Sequence, residues 1–192
     1  MTKISKGQPG YYRNRKKQFG LLCLLGFLLV LGIYFTGYWI AGTNKNTLTI
    51  LAIIIFIPTA KFLVDYFMIP WKSFVSQEDF DKVQKECEPL PVYAELVITA
   101  SEKRFNVAYL LVDKDENIIA YTKDEKADKE AFRKGVVNFL NYYNFNAKPE
   151  LYTDYEAFME KCKTLAANNV DITEEEDNHM VVVIEKISIM SI

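Results

Sequence analysis

Residues 19–40 read FGLLCLLGFLLVLGIYFTGYWI, and no charged side chain occurs between Gln18 and Asn44. At 1.5 Å of rise per residue, a helix of this length crosses the ~30 Å hydrocarbon core of a bilayer. A cleaved signal peptide is the competing interpretation, but it has an apolar core of about 7–15 residues and small residues at its cleavage site. Here Trp39 stands where a small residue is needed. We therefore predict an uncleaved transmembrane helix over about residues 19–41.

A second apolar run begins at Leu48, continues to Ile69, and is interrupted by Pro58 and by the charged residues Lys61 and Asp65. These two charges are spaced i,i+4 in the last third of the run, so they can pair with each other or extend toward the lipid headgroups. We predict a second span over about residues 47–69, which makes residues 19–71 a transmembrane hairpin. An ion or proton pathway through this charged pair is the alternative, although transporters normally have more than two helices.

The first predicted span contains Gly20, Gly26, Gly32 and Gly37. At 100° per residue these glycines fall at about 0°, 240°, 120° and 260°, so the four do not share one face. The pattern therefore does not predict a small-xxx-small dimer motif. Whether the two spans pack on each other is left open.

Charge divides the chain into two parts. Residues 1–71 carry eight basic side chains and one acidic side chain, whereas residues 72–192 carry 15 basic and 24 acidic side chains. Because cytosolic flanks are enriched in Lys and Arg, the basic segment 1–18 is expected to remain in the cytosol. With two spans, both termini then lie on the cytosolic side of the plasma membrane. The residues expected at the membrane interfaces are Arg13, Arg15, Lys16, Lys17, Trp39, Lys61, Asp65 and Trp71.

Residues 72–192 are expected to form a cytosolic mixed α/β (α+β) domain, which is long enough to bury its own core. Short polar links between three β-rich runs favour an antiparallel meander, and apolar stripes at helical spacing follow it. The start of the last run, MVVVI at residues 180–184, is typical of a buried strand. The predicted order is α-β-β-β-α-β-α-β, over about residues 76–88, 92–100, 105–112, 117–122, 127–143, 149–152, 154–167 and 180–190.

Several kinds of chemistry lack the residues they need. Gly135 is the only glycine after Gly42, so a glycine-rich phosphate loop is absent from the domain. His179 is the only histidine and has no cysteine near it in the sequence, so we expect no structural zinc site and few bases to activate a nucleophile. We expect no cofactor and no metal. Since the domain has excess negative charge, we also expect no nucleic-acid partner.

Carboxylates are the remaining class of catalytic side chain. The predicted order of three antiparallel strands, helix, strand, helix and strand resembles the ribonuclease H-like fold, whose enzymes gather acids around two divalent ions. That resemblance implies acids on the first strand, on the first helix and at the end of the fourth strand. The residues at corresponding places are Glu95, Glu130 and Asp154. A membrane-tethered, metal-dependent nuclease is therefore one alternative function.

Two further segments, GIYFTGY at residues 32–38 and IPTAK at residues 57–61, resemble those of small uncharacterised bacterial two-span membrane proteins. The resemblance covers mainly residues 19–80. Some of those proteins carry the label "O-linked GlcNAc transferase-like". This chain has neither 34-residue helical repeats nor a nucleotide-sugar motif, so the label assigns it no activity.

A patterned core without a catalytic constellation favours a binding protein over an enzyme. The main hypothesis is a membrane-anchored adaptor or regulatory module whose partners are the lipid bilayer and a protein at the cytosolic membrane face. The alternatives are the nuclease and an accessory subunit of a membrane transport complex that uses Lys61 and Asp65. The oligomeric state is left open.

Overall fold

The structure is a computed structural model that describes residues 5–69 and 75–191. The chain divides into two compact units. One unit, the hairpin, lies within Tyr12–Lys72, and the other, the domain, combines Met1–Tyr11 with Ser73–Ile192. Two long apolar helices therefore precede a small α/β region, as the sequence predicts. The predicted interface residue Trp71 lies outside the described residues.

The hairpin consists of α1 (Tyr11–Ala41) and α2 (Thr47–Met68). The side chain of Asn46 accepts a hydrogen bond from the N–H of Thr49 and so caps the start of α2. Both helices are long and apolar enough to span a membrane. Only 6% of the most apolar 18-residue stretch of α1 is buried, and only 11% of that of α2. A core helix of a soluble protein also passes this test of length and composition, but it is mostly buried.

The two helices pack on each other through an antiparallel seam within the hairpin. Phe19 stacks on Phe62, and Phe27 meets Phe56 edge to face. Between these pairs, a Cβ added at Gly26 would lie 2.5 Å from Oγ1 of Thr59. Gly20 and Gly37 also approach α2, whereas Gly32 does not. Three of the four glycines therefore lie at close contacts within the hairpin.

Helix α1 begins earlier than the sequence predicts. Residues 1–18 were expected to be a separate basic segment, but the helix starts at Tyr11, so Arg13, Arg15, Lys16 and Lys17 lie on its first turns. Arg and Lys are good helix formers, and Gly10 with a φ of 80° precedes the helix. Residues before the helix belong to the domain unit.

The domain is built on one four-stranded mixed sheet in the order β1-β2-β3-β4. The first three strands form an antiparallel meander, and β4 pairs parallel to β3. Three helices lie where the sequence predicts them, one before β1, one between β3 and β4, and one after β4. The bounds are α3 (Gln77–Glu86), β1 (Val92–Ala100), β2 (Lys103–Val112), β3 (Asn117–Tyr121), α4 (Lys129–Asn141), β4 (Lys148–Tyr152), α5 (Tyr155–Asn168) and α6 (Glu174–Ile189).

Each face of the sheet buries its own apolar cluster. Helices α3 and α5 contribute Phe80, Val83 and Phe158 to the cluster on one face. Helices α4 and α6 contribute Phe132 and Ile184, among others, to the cluster on the other face. The sheet is thus covered on both sides, which explains why its strands contain long runs of buried residues.

The last predicted strand, residues 180–190, is wrong, because these residues belong to α6. Thr173 and Glu176 form a reciprocal capping box, and four acids occupy the first turn. The buried side chains then recur at helical spacing, at Met180, Val183, Ile184 and Ile187. The capping box and this spacing override the β propensity of the valine run. The observed order in the domain is therefore α-β-β-β-α-β-α-α.

The outer edge of β1 is covered by both ends of the described chain. Its Ala94 N–H donates to the carbonyl of Gly7, and its Thr99 N–H donates to the carbonyl of Met190. Lys6 donates from Nζ to the carbonyls of Ser188 and Ser191, at 2.7 and 2.6 Å, at the end of α6. A cation at the C-terminal end of a helix satisfies carbonyls that have no partner within the helix.

Candidate functional site

Glu95 is the first of the three candidate acids, and it is fully buried in β1. Its Oε2 accepts a hydrogen bond from the Gly10 N–H at 2.8 Å, and its Oε1 accepts one from the Val75 N–H at 3.3 Å. Gly10 precedes the hairpin in sequence, and Val75 follows it. The carboxylate therefore binds backbone groups that lie on either side of the hairpin in sequence, and both groups belong to the domain unit.

The backbone at Glu95 is left-handed, with a φ of 54°, which is unfavourable for a residue with a Cβ. The strand changes faces there: Val92 and Ala94 belong to one core cluster, whereas Leu96 and Ile98 belong to the other. Uniform alternation along a strand would keep these four residues on one face. Hydrogen bonds to the carboxylate, including those from Gly10 and Val75, hold this strained conformation in place.

The other two candidate acids lie at helix starts and face solvent. Glu130 is in the first turn of α4, two-thirds exposed, and lies within 3.9 Å of Arg133 and Lys134. Asp154 is the N-cap of α5, where its side chain accepts from the N–H of Glu156. Each of the three acids thus has a structural role of its own.

These acids do not form a metal centre. Across residues 5–69 and 75–191, no three His, Cys, Asp or Glu side chains are grouped so that they could hold a metal ion. Since the last predicted strand is also replaced by α6, the element order that carried the ribonuclease H-like resemblance is lost. A two-ion nuclease mechanism needs converging carboxylates, and the described structure gives it no such geometry.

The expected membrane-interface residues lie near the ends of the hairpin helices. Lys16 is buried, and its Nζ donates to the carbonyl of Ile69 at 3.0 Å and lies 4.9 Å from the ring centroid of Tyr66. Arg15 lies over the ring of Phe19. At the other end of α1, Trp39 is 83% exposed. A lysine and aromatic rings at helix ends are typical of residues at a lipid–water boundary.

Lys61 and Asp65 form the expected i,i+4 pair on α2, with Nζ and Oδ2 3.4 Å apart. The lysine side chain is 75% exposed and the aspartate side chain 32% exposed. The lysine charge is therefore on the outer surface of the hairpin, and the carboxylate of Asp65 beside it is partly exposed. This placement fits side chains that extend toward headgroups, and it gives no specific support to an ion pathway.

A groove lies between α4 and β4, with a volume of about 260 Å³. Charged side chains from the first two turns of α4 form one wall, and the side chains of β4 form the other. Its lining consists of Lys129, Glu130, Arg133, Pro149, Glu150, Leu151 and Tyr152. Four of these seven residues carry charge, two positive and two negative, so the groove has no net charge.

The polar groups on the β4 wall are ordered by contacts within the domain. The hydroxyl of Tyr152 donates to Glu150 at 2.5 Å, and Lys161 lies 3.6 Å from the same carboxylate. Burial, and after it the hydrogen bond to Glu150, raises the pKa of Tyr152. The phenol therefore stays protonated at neutral pH and keeps Glu150 in place.

Sequence reasoning identified Glu130 but missed the groove around it. The signal available was weak: β4 has only five residues, and Pro149 argues against a central strand. The same proline is typical of an edge strand, which is where the structure places β4. An edge position could thus have been predicted, but the volume beside it depends on how α4 packs.

Comparisons with known proteins do not favour any one of the functions considered for this chain. The chain matches no protein-family model, no curated protein and no solved structure. Any functional argument therefore rests on the geometry of the two units.

Proposed function

We propose that this chain is a membrane-anchored binding protein of adaptor or regulatory type. In this proposal the hairpin spans the plasma membrane, both termini lie in the cytosol, and the α/β domain engages a protein partner at the membrane surface. The observation that carries the proposal is the coexistence of two lipid-compatible helices with a separate packed domain. The described domain has a groove but no group of metal-ligating side chains.

The exposed apolar surface of the hairpin supports the anchoring part of the proposal. Side chains such as Leu24, Leu28, Ile53 and Ile57 are each more than half exposed. Soluble proteins rarely leave contiguous apolar patches this extensive, whereas lipid covers them without cost. The basic first turns of α1 favour a cytosolic N-terminus, and a two-helix hairpin returns the chain to the same side.

The topology can be tested with two single-cysteine additions to the full chain. Lys45→Cys lies in the exposed loop between α1 and α2, and Glu125→Cys lies in the exposed loop after β3. The three native cysteines are free and buried, so the added thiol is the one expected to react. In intact bacterial cells, a membrane-impermeant maleimide should label Lys45→Cys only, and after lysis it should label both. Labelling of Glu125→Cys in intact cells would contradict the cytosolic domain.

The binding part can be tested separately in the same cells. A photo-crosslinking amino acid is placed at exposed domain positions, one at a time, in the full-length chain. A binding module should give a discrete crosslinked product from positions on one face and none from the opposite face. The absence of a product from every position, or equal products from all of them, would argue against a specific protein partner.

A further inference from the structure

Four basic side chains lie on the first two turns of α1, and two of them make contacts within the hairpin. Lys16 is buried and donates to a backbone carbonyl of the hairpin, and the guanidinium of Arg15 lies 4.9 Å from the ring centroid of Phe19. The other two, Arg13 and Lys17, are exposed, and among the described residues no salt bridge involves either of them. These two cations are therefore the ones placed to meet a ligand.

The sequence of the hairpin has no acidic side chain left to neutralise these two cations. Asp65 is the only acid between residues 12 and 69, and its carboxylate pairs with Lys61. Arg and Lys side chains beside a membrane attract negatively charged groups. Charge complementarity therefore favours an anionic ligand at Arg13 and Lys17.

The two cations continue an apolar stripe along the outside of α1. At about 100° per residue, Arg13, Leu21, Leu24 and Leu28 all point within about 40° of Lys17. The three leucines, which we call the leucine stripe, are 50%, 58% and 58% exposed. From Lys17 to Leu28 the helix rises about 17 Å, which is close to half of the ~30 Å hydrocarbon core and so to one leaflet. Cations above an apolar stripe of this length match a phospholipid, which has a phosphate above its acyl chains.

We propose that Arg13, Lys17 and the leucine stripe form a binding site for one anionic phospholipid. The headgroup phosphate lies between the guanidinium and the ammonium group, and an acyl chain lies along the leucine stripe. This inference rests on the proposed membrane anchoring, and it names the class of lipid and the side chains that select it. In the proposed topology the bound lipid belongs to the cytosolic leaflet.

The spacing of Arg13 and Lys17 suits a single phosphate. Four residues separate them by about 6 Å along the helix axis, and both side chains are long and flexible enough to extend toward the same headgroup. Arg offers a planar pair of donors to two phosphate oxygens, and Lys adds a point charge. A zwitterionic lipid has the same phosphate, but its own cation competes with these side chains. The site therefore favours lipids with a net negative charge.

Arg15 distinguishes a defined site from a general attraction between a basic helix end and a membrane. It lies about 160° around the helix from both Arg13 and Lys17, so it cannot reach the same phosphate. A general attraction depends on the total charge near the surface, and removing any one of the three cations would weaken it equally. A defined site depends on Arg13 and Lys17 only.

The test measures lipid binding to the full chain in a neutral detergent by native mass spectrometry. Phosphatidylglycerol and phosphatidylcholine with identical acyl chains are compared, so the two lipids differ only in the headgroup. The chain should bind phosphatidylglycerol at least about tenfold more tightly. Arg13→Gln and Lys17→Gln should each reduce this preference about fivefold, whereas Arg15→Gln should leave it within about twofold. Equal affinities for the two lipids, or an equal effect of Arg15→Gln, would overturn the proposal.

Two further measurements exclude other causes of a lost preference. Lys17→Arg keeps the charge and should keep the preference, and circular dichroism should show the same helix content in every variant, because Gln and Arg are good helix formers. Glycerophosphoglycerol, which is the headgroup without acyl chains, should not displace the lipid at an equal concentration. Displacement would mean that the leucine stripe takes no part in binding, and loss of the preference in Lys17→Arg would mean that charge does not select the lipid. Either result would contradict the site.

The lipid site and the proposed topology can fail separately. Binding in detergent does not depend on which side of the membrane the helix end faces, and maleimide labelling does not depend on the headgroup. Normal labelling without a lipid preference would overturn the site and leave the anchoring intact. Labelling of Glu125→Cys in intact cells, together with the expected lipid preference, would overturn the topology and support the site.

Discussion

The carboxylate of Glu95 accepts a hydrogen bond from the Gly10 N–H across a separation of 85 residues, at 2.8 Å. The intervening sequence includes the whole hairpin. The other carboxylate oxygen accepts from the Val75 N–H, on the far side of the hairpin in sequence. One buried side chain thus holds the backbone just before the hairpin and just after it.

Replacing Glu95 by Gln should loosen both segments. A carboxylate can accept from two N–H groups, whereas an amide has one accepting oxygen and an NH₂ group that opposes the second donor. A hydrogen bond to a charged group contributes about 1.5–3 kcal/mol, so we expect Glu95→Gln to lower the stability of the domain by about 2 kcal/mol. Amide hydrogen exchange at Gly10 and Val75 should become faster in the full chain.

The control for Glu95 is Glu102→Gln, in the exposed turn between β1 and β2. Glu102 also has a left-handed backbone conformation, with a φ of 63°, but its side chain is exposed. The two variants therefore make the same change in a similar backbone conformation, one at a buried site and one at an exposed site. This variant should leave exchange at Gly10 and Val75 unchanged. Unaltered exchange in Glu95→Gln as well would mean that the carboxylate does not hold these segments.

The sequence makes Glu95 a candidate catalytic acid because the resemblance to the ribonuclease H-like fold implies an acid on the first strand. Its carboxylate accepts from the backbone N–H groups of Gly10 and Val75. Because every residue except proline carries a backbone N–H, the sequence does not reveal such a partner. The left-handed conformation at Glu95 is equally invisible, since residues with a Cβ rarely adopt it. By contrast, Glu130 and Asp154 follow standard helix-start patterns, and their capping or first-turn positions could be predicted.

The fold was predictable where one signal dominated. The meander and α3 to α5 follow from turn residues, caps and periodicity. At residues 180–184 two signals competed, because MVVVI has high β propensity while the acids of residues 174–177 and Thr173 favour a helix start. The prediction of a strand over residues 180–190 follows from the first signal alone. Counting the i,i+3 and i,i+4 spacing from Met180 to Ile187 would have favoured the helix.

The capping box of α6 should make the start of this helix sensitive to acid. The Thr173 N–H, and then the Thr173 hydroxyl, donate to Glu176 and hold its pKa below the ordinary 4.5. A lowered pKa in the folded state means that the stabilisation is complete above the ordinary value and is lost as the pH falls through the folded-state value. The protection factors of the amides of residues 173–177, which correct for the slower intrinsic exchange in acid, should therefore fall between about pH 5 and about pH 3.

Glu176→Gln should remove much of this acid dependence while keeping the helix, because Gln can also complete a capping box. Glu175→Gln is the control, since Glu175 lies in the same turn but is not the residue that bonds to Thr173. That variant should retain the acid dependence. If Glu175→Gln lost the acid dependence and Glu176→Gln kept it, the general acidity of the turn, and not the capping bond, would control the pH response.

Gly135→Ala should destabilise the domain even though alanine is the better helix former. A Cβ at residue 135 would lie 2.5 Å from Cβ of Ala100 and 2.9 Å from the backbone nitrogen of Ser101. Overpacking against backbone typically costs 1–3 kcal/mol, which exceeds the gain of about 1 kcal/mol from helix propensity. We expect a net loss of about 1 kcal/mol in thermal or chemical unfolding. Asn138→Ala, exposed on the same helix, should be neutral or slightly stabilising.

The seam between α1 and α2 predicts that the glycines of α1 tolerate substitution unequally. A Cβ at Gly26 would lie within 2.8 Å of both the Oγ1 and Cγ2 atoms of Thr59, whereas a Cβ at Gly32 would meet nothing within 4 Å. Gly26→Ile should therefore separate the helices and lower the SDS concentration at which the hairpin unfolds, and Gly32→Ile should not. Both variants add the same side chain to the same helix, so a difference between them reports on the seam and not on helix propensity or apolarity. If the two variants unfolded at the same SDS concentration, close approach of the helices at Gly26 would not be what holds the hairpin together.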